Sequence, residues 1–174
     1  DVYKRQTHDI SIFIYLMNKS PEAVSAQGAA YIRGDRQDVT YIVLYFPNNI
    51  LCHIHASWLE PRKVRLITVI GDKKMLVFDD MNSLEPIRIY DKGVIKSIKS
   101  YRDFEEFKTT IWDGDVVIPK IDLSEPLKNQ CKHFIDLIKS GKQSKTEEDF
   151  LINVAKVIEK ANKSLGKKGR IEYL

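Results

Sequence analysis

The sequence predicts an α+β fold: a large open, mostly antiparallel sheet with helices on one face. Three observations predict it. Runs rich in β-branched and aromatic residues follow one another through the first two thirds of the chain, with turn residues between them. Two well-punctuated amphipathic helical patterns close the chain. Strands segregated from helices mark this class, whereas alternating strand and helix would mark a parallel sheet.

The elements can be justified in order. The opening Asp1-Val2-Tyr3-Lys4-Arg5-Gln6 has no initiator Met, no secretory apolar core and no capping signal. Back-translated as GAT GTG TAT AAG AGA CAG, it looks like a transposon adapter of sequencing libraries. Residues 1–6 are therefore read as a non-native, adapter-derived segment outside the fold, and 7–174 as one α+β domain. His8 to Asn18 is apolar almost all round, with Thr7 as a cap and Asp9 in the first turn, and predicts a buried helix. Strands are predicted over Ala23 to Arg33, Asp38 to Phe46, Ile50 to Leu59, Lys63 to Ile70, Met75 to Asp79, Ile87 to Tyr90 and Val116 to Ile121. Pro47-Asn48-Asn49 is short enough to join the second and third as an antiparallel hairpin, and the later runs continue as a meander.

Val94 to Asp115 is mostly polar with scattered aromatics and no period, and reads as an excursion over the surface. Ser124 caps a helix that tolerates Pro126 in its first turn, carries Leu127, Cys131, Phe134, Ile135 and Ile138 on one stripe, and ends at Gly141. Thr146 starts another, with Asp149 as a capping-box-like partner, ending at Gly166. If the helices cover one sheet face, the other exposes Tyr, Val and Leu side chains. A subunit or a further domain is expected against it.

Composition narrows the function classes. The net charge of +4 comes from 28 basic and 24 acidic residues, and the lysine excess lies toward the C-terminus without aromatic or motif support, so it reads as solvated helix surface and no nucleic-acid partner is expected. The apolar run Ile10 to Met17 is far shorter than the ~20 residues that cross a bilayer, so no membrane span is expected and the reading is cytoplasmic. Cys52 and Cys131 lack any C-x-x-C spacing and read as two reduced thiols.

Few residues invite chemistry. His53 and His55 point to one face of a strand and could chelate a metal only with a third ligand, which no spacing supplies; two histidines on a polar or interfacial face account for them as well. His133, beside an apolar helix stripe, reads as a packing residue. His8, at the start of its helix where the chain would enter from another domain, could project into a cleft and exchange a proton near neutrality. Trp58, Arg62 and Lys63 offer an indole surface beside bidentate and point-charge donors, suited to a sugar or nucleotide with phosphate or carboxylate, although exposed turn charges near a Trp would look the same. No nucleophile elbow and no glycine-rich phosphate loop occurs in the chain.

Taken in order, Thr7-His8-Asp9-Ile10-Ser11, Tyr31-Ile32-Arg33, Asp38-Val39, the run His53 to Arg65 containing Trp58-Leu59-Glu60-Pro61-Arg62-Lys63, Lys74-Met75, Tyr90-Asp91-Lys92-Gly93, Gly114-Asp115 and Glu125-Pro126-Leu127 with His133-Phe134 resemble the C-terminal domain of the Gfo/Idh/MocA oxidoreductases. The sugar-nucleotide 3-dehydrogenase branch is the most similar in flavour. The resemblance implies a parent enzyme with an N-terminal Rossmann domain that binds NAD or NADP, none of it bound by this chain. It further implies hydride transfer between nicotinamide and a carbinol carbon of a sugar or sugar nucleotide, and a homo-oligomer formed through the open sheet face. His8 matches the histidine of the family's D-x-x-x-H pair, whose aspartate position is Lys4 here, and the lysine of the family's E-K-P motif would lie in the other domain. The chain alone is then expected to be inactive. A stand-alone dimerising scaffold domain is the alternative.

Overall fold

Alternation along 39–46 and 50–57 builds the first half of the structure. The computed structural model describes residues 2–32, 34, 36–99, 106–122, 124–142 and 148–174. They form helix α1 (Val2–Met17), strands β1 (Ala23–Ala29), β2 (Val39–Phe46), β3 (Ile50–Ser57), β4 (Leu66–Ile70), β5 (Met75–Asp79), β6 (Ile87–Lys99) and β7 (Glu106–Val117), helices α2 (Pro126–Ser140) and α3 (Glu148–Gly166), and the short β8 (Glu172–Tyr173). Two compact units share the chain: 1–61 with 134–174, and 62–133.

In the first unit β1, β2, β3 and β8 form an antiparallel sheet of order β3-β2-β1-β8. Asn48 and Asn49 adopt left-handed backbone in the turn between β2 and β3, a conformation asparagine tolerates better than most residues, and Phe46 pairs with Ile50 across it. Because strand side chains alternate, Val24, Ala26, Ile42, Leu44, Cys52 and Ile54 share one face. They pack with Ile10 and Ile14 of α1 and Val154, Val157 and Ala161 of α3 into the core. Full burial of such side chains is worth ~1.5–3 kcal/mol each.

Past Val24 no strand among the described residues lies beside the edge of β1, since β8 pairs only with Ala23 and Val24. The end of α3 takes over. The Ala26 N–H donates to Ser164 Oγ at 2.8 Å, the Ser164 hydroxyl donates to the Arg170 carbonyl at 2.6 Å, and the Ser25 hydroxyl donates to the Gly169 carbonyl at 2.7 Å. Gly169 has φ 91°, a backbone conformation that favours glycine, and a Cβ there would lie 2.6 Å from the flexible Gln27 side chain and push it aside.

The second unit is a separate antiparallel sheet, β4-β5-β6-β7. Arg65 forms an ion pair with Asp80 at 3.0 Å across its first hairpin, and Arg88 a similar one with Glu85 at 2.9 Å.

The α+β class and the antiparallel pairing agree with the sequence reading, and the helices that contact the first sheet, α1 and α3, lie on one face of it. Three features differ. The strands form two four-stranded sheets, so the anticipated large sheet is divided. The opening helix starts at Val2, so Thr7 is inside it and not its cap, and Asp9 is not in its first turn; Gln6, left out of the fold by the sequence reading, is buried and donates its side-chain amide to Thr40 Oγ1 at 2.7 Å. The polar stretch read as a surface excursion is two long strands: Lys92 through Lys99 pairs with Glu106 through Asp113, after a bulge between Tyr90 and Lys92. Strand pairing needs backbone partners and does not require an apolar stripe in the sequence. Gly141 ends α2 with φ 63°, as its position predicted, while Thr146 lies outside the described residues.

Candidate functional site

Asp38 organises the end of the first sheet where Trp58 emerges. Its buried carboxylate accepts the backbone N–H groups of Tyr31 and Ile32, both at 2.6 Å, while its own N–H donates to the Ala29 carbonyl at 2.8 Å and its carbonyl accepts the Trp58 N–H at 2.9 Å. A carboxylate taking two backbone donors makes charge-assisted bonds stronger than neutral ones. One residue thus fixes both the turn after β1 and the start of the loop after β3. The Ser57 hydroxyl accepts the Leu59 N–H at 3.0 Å and turns the chain onward. Trp58 is half exposed.

His8 lies in the interior of α1 on an exposed face, its side chain 74% accessible. Its partners are local: Nδ1 is 3.2 Å from Asp9 Oδ1, and its carbonyl accepts the Ser11 hydroxyl at 2.7 Å. An accessible imidazole beside a carboxylate can donate to, or accept from, a hydroxyl brought to it. The residues proposed from sequence divide between the units: His8 and Trp58 belong to the first, Arg62 and Lys63, both exposed, to the second.

Sequence reasoning underrated the outward face of the first sheet. Tyr41 stacks on His55 with ring centroids 4.6 Å apart and planes within 2°, and lies 6.1 Å from the His53 ring. Glu60 Oε1 approaches His55 Nε2 at 3.9 Å. Cross-strand register explains the stack, since Tyr41 pairs with His55 and Val43 with His53. Among the described residues no three histidines, cysteines or carboxylates converge as a metal site. Cys52 is buried, which raises its thiol pKa, and Cys131 is exposed; neither is in a disulfide. No described helix is long and apolar enough to cross a membrane.

Residues 2–77 match the family model for the GFO/IDH/MocA C-terminal domain. That segment belongs to this family. It holds α1, the sheet strands β1 to β3, Asp38, His8, Trp58, Arg62 and Lys63. No curated protein matches the chain in sequence. Solved structures of similar fold include UDP-N-acetylglucosamine 3-dehydrogenase GnnA from Acidithiobacillus ferrooxidans, 13% identical, with a TM-score of 0.71 over 93% of this chain and 46% of that one. The WlbA dehydrogenase of Bordetella pertussis, solved with NADH and UDP-GlcNAcA, is 14% identical, TM-score 0.65, over 98% of this chain and 43% of its own. Levoglucosan dehydrogenase in complex with NADH is 16% identical, TM-score 0.67, over 94% and 47%. At these identities the likeness is one of fold, and the chain spans about half the length of each. Of the motifs that suggested the GFO/IDH/MocA C-terminal domain in the sequence, those from Thr7-His8-Asp9 to Lys74-Met75 fall within the matched segment, while Tyr90 to Gly93, Gly114-Asp115, Glu125 to Leu127 and His133-Phe134 lie outside it.

Proposed function

We propose that the chain is the substrate-side and oligomerisation domain of an NAD(P)-dependent oxidoreductase that moves a hydride between nicotinamide and a carbinol carbon of a sugar or sugar nucleotide. The observation that carries this reading is the family match over 2–77, a segment that includes His8 and Trp58 to Lys63. Similar folds named as dehydrogenases of sugars and UDP-sugars support the substrate class.

The residues described here do not fit a dinucleotide. Every described strand pair is antiparallel, and no glycine-rich turn joins a strand to a helix to cradle a pyrophosphate. The cofactor is therefore assigned to the other half of the parent. What this chain contributes is substrate-side: His8 hydrogen-bonds the reacting hydroxyl, Trp58 offers a flat apolar surface to a sugar ring, and Arg62 with Lys63 pairs with phosphate or carboxylate. The outward face of the first sheet, with Tyr41, Leu51 and Tyr173 exposed, joins copies of the chain.

Calorimetric titration of the purified chain with UDP-N-acetylglucosamine tests the substrate assignment. Saturable binding that Trp58→Ala abolishes is the expected result. Absence of saturable binding by sugar nucleotides would overturn it, and NADH formation by the chain alone would overturn the division of labour.

A further inference from the structure

We infer that self-association through the outward face of the first sheet is switched off by proton uptake on His53 and His55; the inference rests on the open-face reading above. Three of the strands contribute alternate positions to this face, 23–29 of β1, 39–45 of β2 and 51–57 of β3, with Tyr173 of β8 beside Ala23. Aspartate, glutamate, lysine and arginine are absent from all of these positions, although 30% of the chain is charged. A charge-free face with Tyr41 47%, Leu51 62% and Tyr173 72% exposed is compatible with itself, because a twofold contact brings like residues together and meets no like-charge repulsion. That commits the occupant to a second copy of this chain.

Histidine is the side-chain type suited to switching charge at physiological pH, and His53 and His55 are the two that this face carries. The neighbours that could compensate are few. On β2, Tyr41 stacks on His55 and Tyr45 lies farther along the same face; on β1 the outward side chains Ser25 and Gln27 are neutral. Glu60, in the loop after β3, lies 3.9 Å from His55 and can offset part of its charge. No carboxylate is within ion-pair reach of His53 among the described residues. In the free protomer, water solvates a protonated imidazole and the Tyr41 ring face adds a cation–π attraction. Once a second copy covers the face the water is lost, and a charge without a partner is costly there. Protons therefore bind the free form better, and the association is present above the histidine range and lost as pH falls through it.

Each imidazole kept neutral by the contact weakens association about 10-fold per pH unit below the ordinary histidine range, and two per copy make four per dimer. Sedimentation velocity on the full chain over a concentration series, at about pH 8 and about pH 5.5, reads this out, with circular dichroism to show that the fold survives. Dissociation constants at least about 100-fold apart are expected, and the gap should shrink to within about threefold in the His53→Gln, His55→Gln double variant. Leu51→Lys should abolish association at the higher pH. A wild-type chain that is monomeric there, or an association indifferent to Leu51→Lys, would overturn the open-face reading itself. Association that Leu51→Lys breaks but acid does not, or acid dissociation that persists in the double variant, would leave that face standing and overturn the histidine switch.

Discussion

Ser164→Ala removes one hydroxyl and should lower the stability of the first unit. The hydroxyl is fully buried, at 0% exposure, and has two jobs: it accepts the Ala26 N–H at 2.8 Å and donates to the Arg170 carbonyl at 2.6 Å. Alanine fills nearly the same space, so packing changes little and the effect isolates the hydrogen bonds. Leaving the buried Ala26 amide unpaired costs ~1–3 kcal/mol, whereas the carbonyl of the exposed Arg170 can turn to water, so a loss of ~1–3 kcal/mol is predicted. Urea unfolding followed by Trp58 fluorescence in a Trp112→Phe background should report it as a lower midpoint at unchanged slope. Hydrogen exchange at the Ala26 amide gives a local check, because that amide should lose protection in the variant by more than amides of β2. A loss below ~0.5 kcal/mol, with Ala26 still protected, would refute the reasoning that a helix hydroxyl stands in for the missing strand at this edge.

Other outcomes follow from the same framework. Asp38→Ala should cost ~1–2 kcal/mol by removing the acceptor of the Tyr31 and Ile32 amides, which lie on exposed residues that water can reach, whereas Asp38→Asn, which keeps an acceptor oxygen, should lose less than half as much; equal losses in denaturant titration would argue against the two-donor clamp. Gly169→Ala should lower the melting temperature, through positive φ and contact with Gln27, and a companion Gln27→Ala should restore part of the loss. Hydrogen bonds from Lys163 and Lys167 hold the Glu159 and Glu172 carboxyls below their ordinary pKa, so the stability they add is present above about pH 4.5 and disappears as pH falls through the lowered values. Both pairs are at the surface, so the Glu159→Gln, Glu172→Gln double variant should differ from wild type by a few degrees at most near neutrality and converge with it in acid.

How far the sequence could be read follows from what each element rests on. The strands β1 to β3 were legible because one face of them is a core, and burial writes alternation into the residues: Ile42 and Leu44 in, Tyr41 and Val43 out. β6 and β7 were legible only at their ends, since their pairing is a matter of backbone register and leaves no such stripe in the sequence. The start of α1 was misplaced for a different reason. Capping residues announce a helix only where it begins, and Thr7 has capping chemistry inside a helix that starts earlier. The division into two sheets is set by the 58–65 connection between β3 and β4, and no side chain there carries a recognisable signal of it.

The candidate site was legible as a set of residue types and not as a framework. Trp58, Arg62 and Lys63 stand out because indole and guanidinium chemistry is conspicuous, yet the residue that fixes Trp58 is Asp38, twenty positions away, and its role depends on backbone amides that carry no sequence identity. The histidines show the converse. As a motif, His53-Ile54-His55 asks for a metal and finds no third ligand. As part of a sheet face without Asp, Glu, Lys or Arg, the same pair takes on a different meaning, because a histidine's effect depends on what surrounds it when covered. What the alternation of β2 and β3 keeps off that face, more than what it puts there, gives the two imidazoles their leverage.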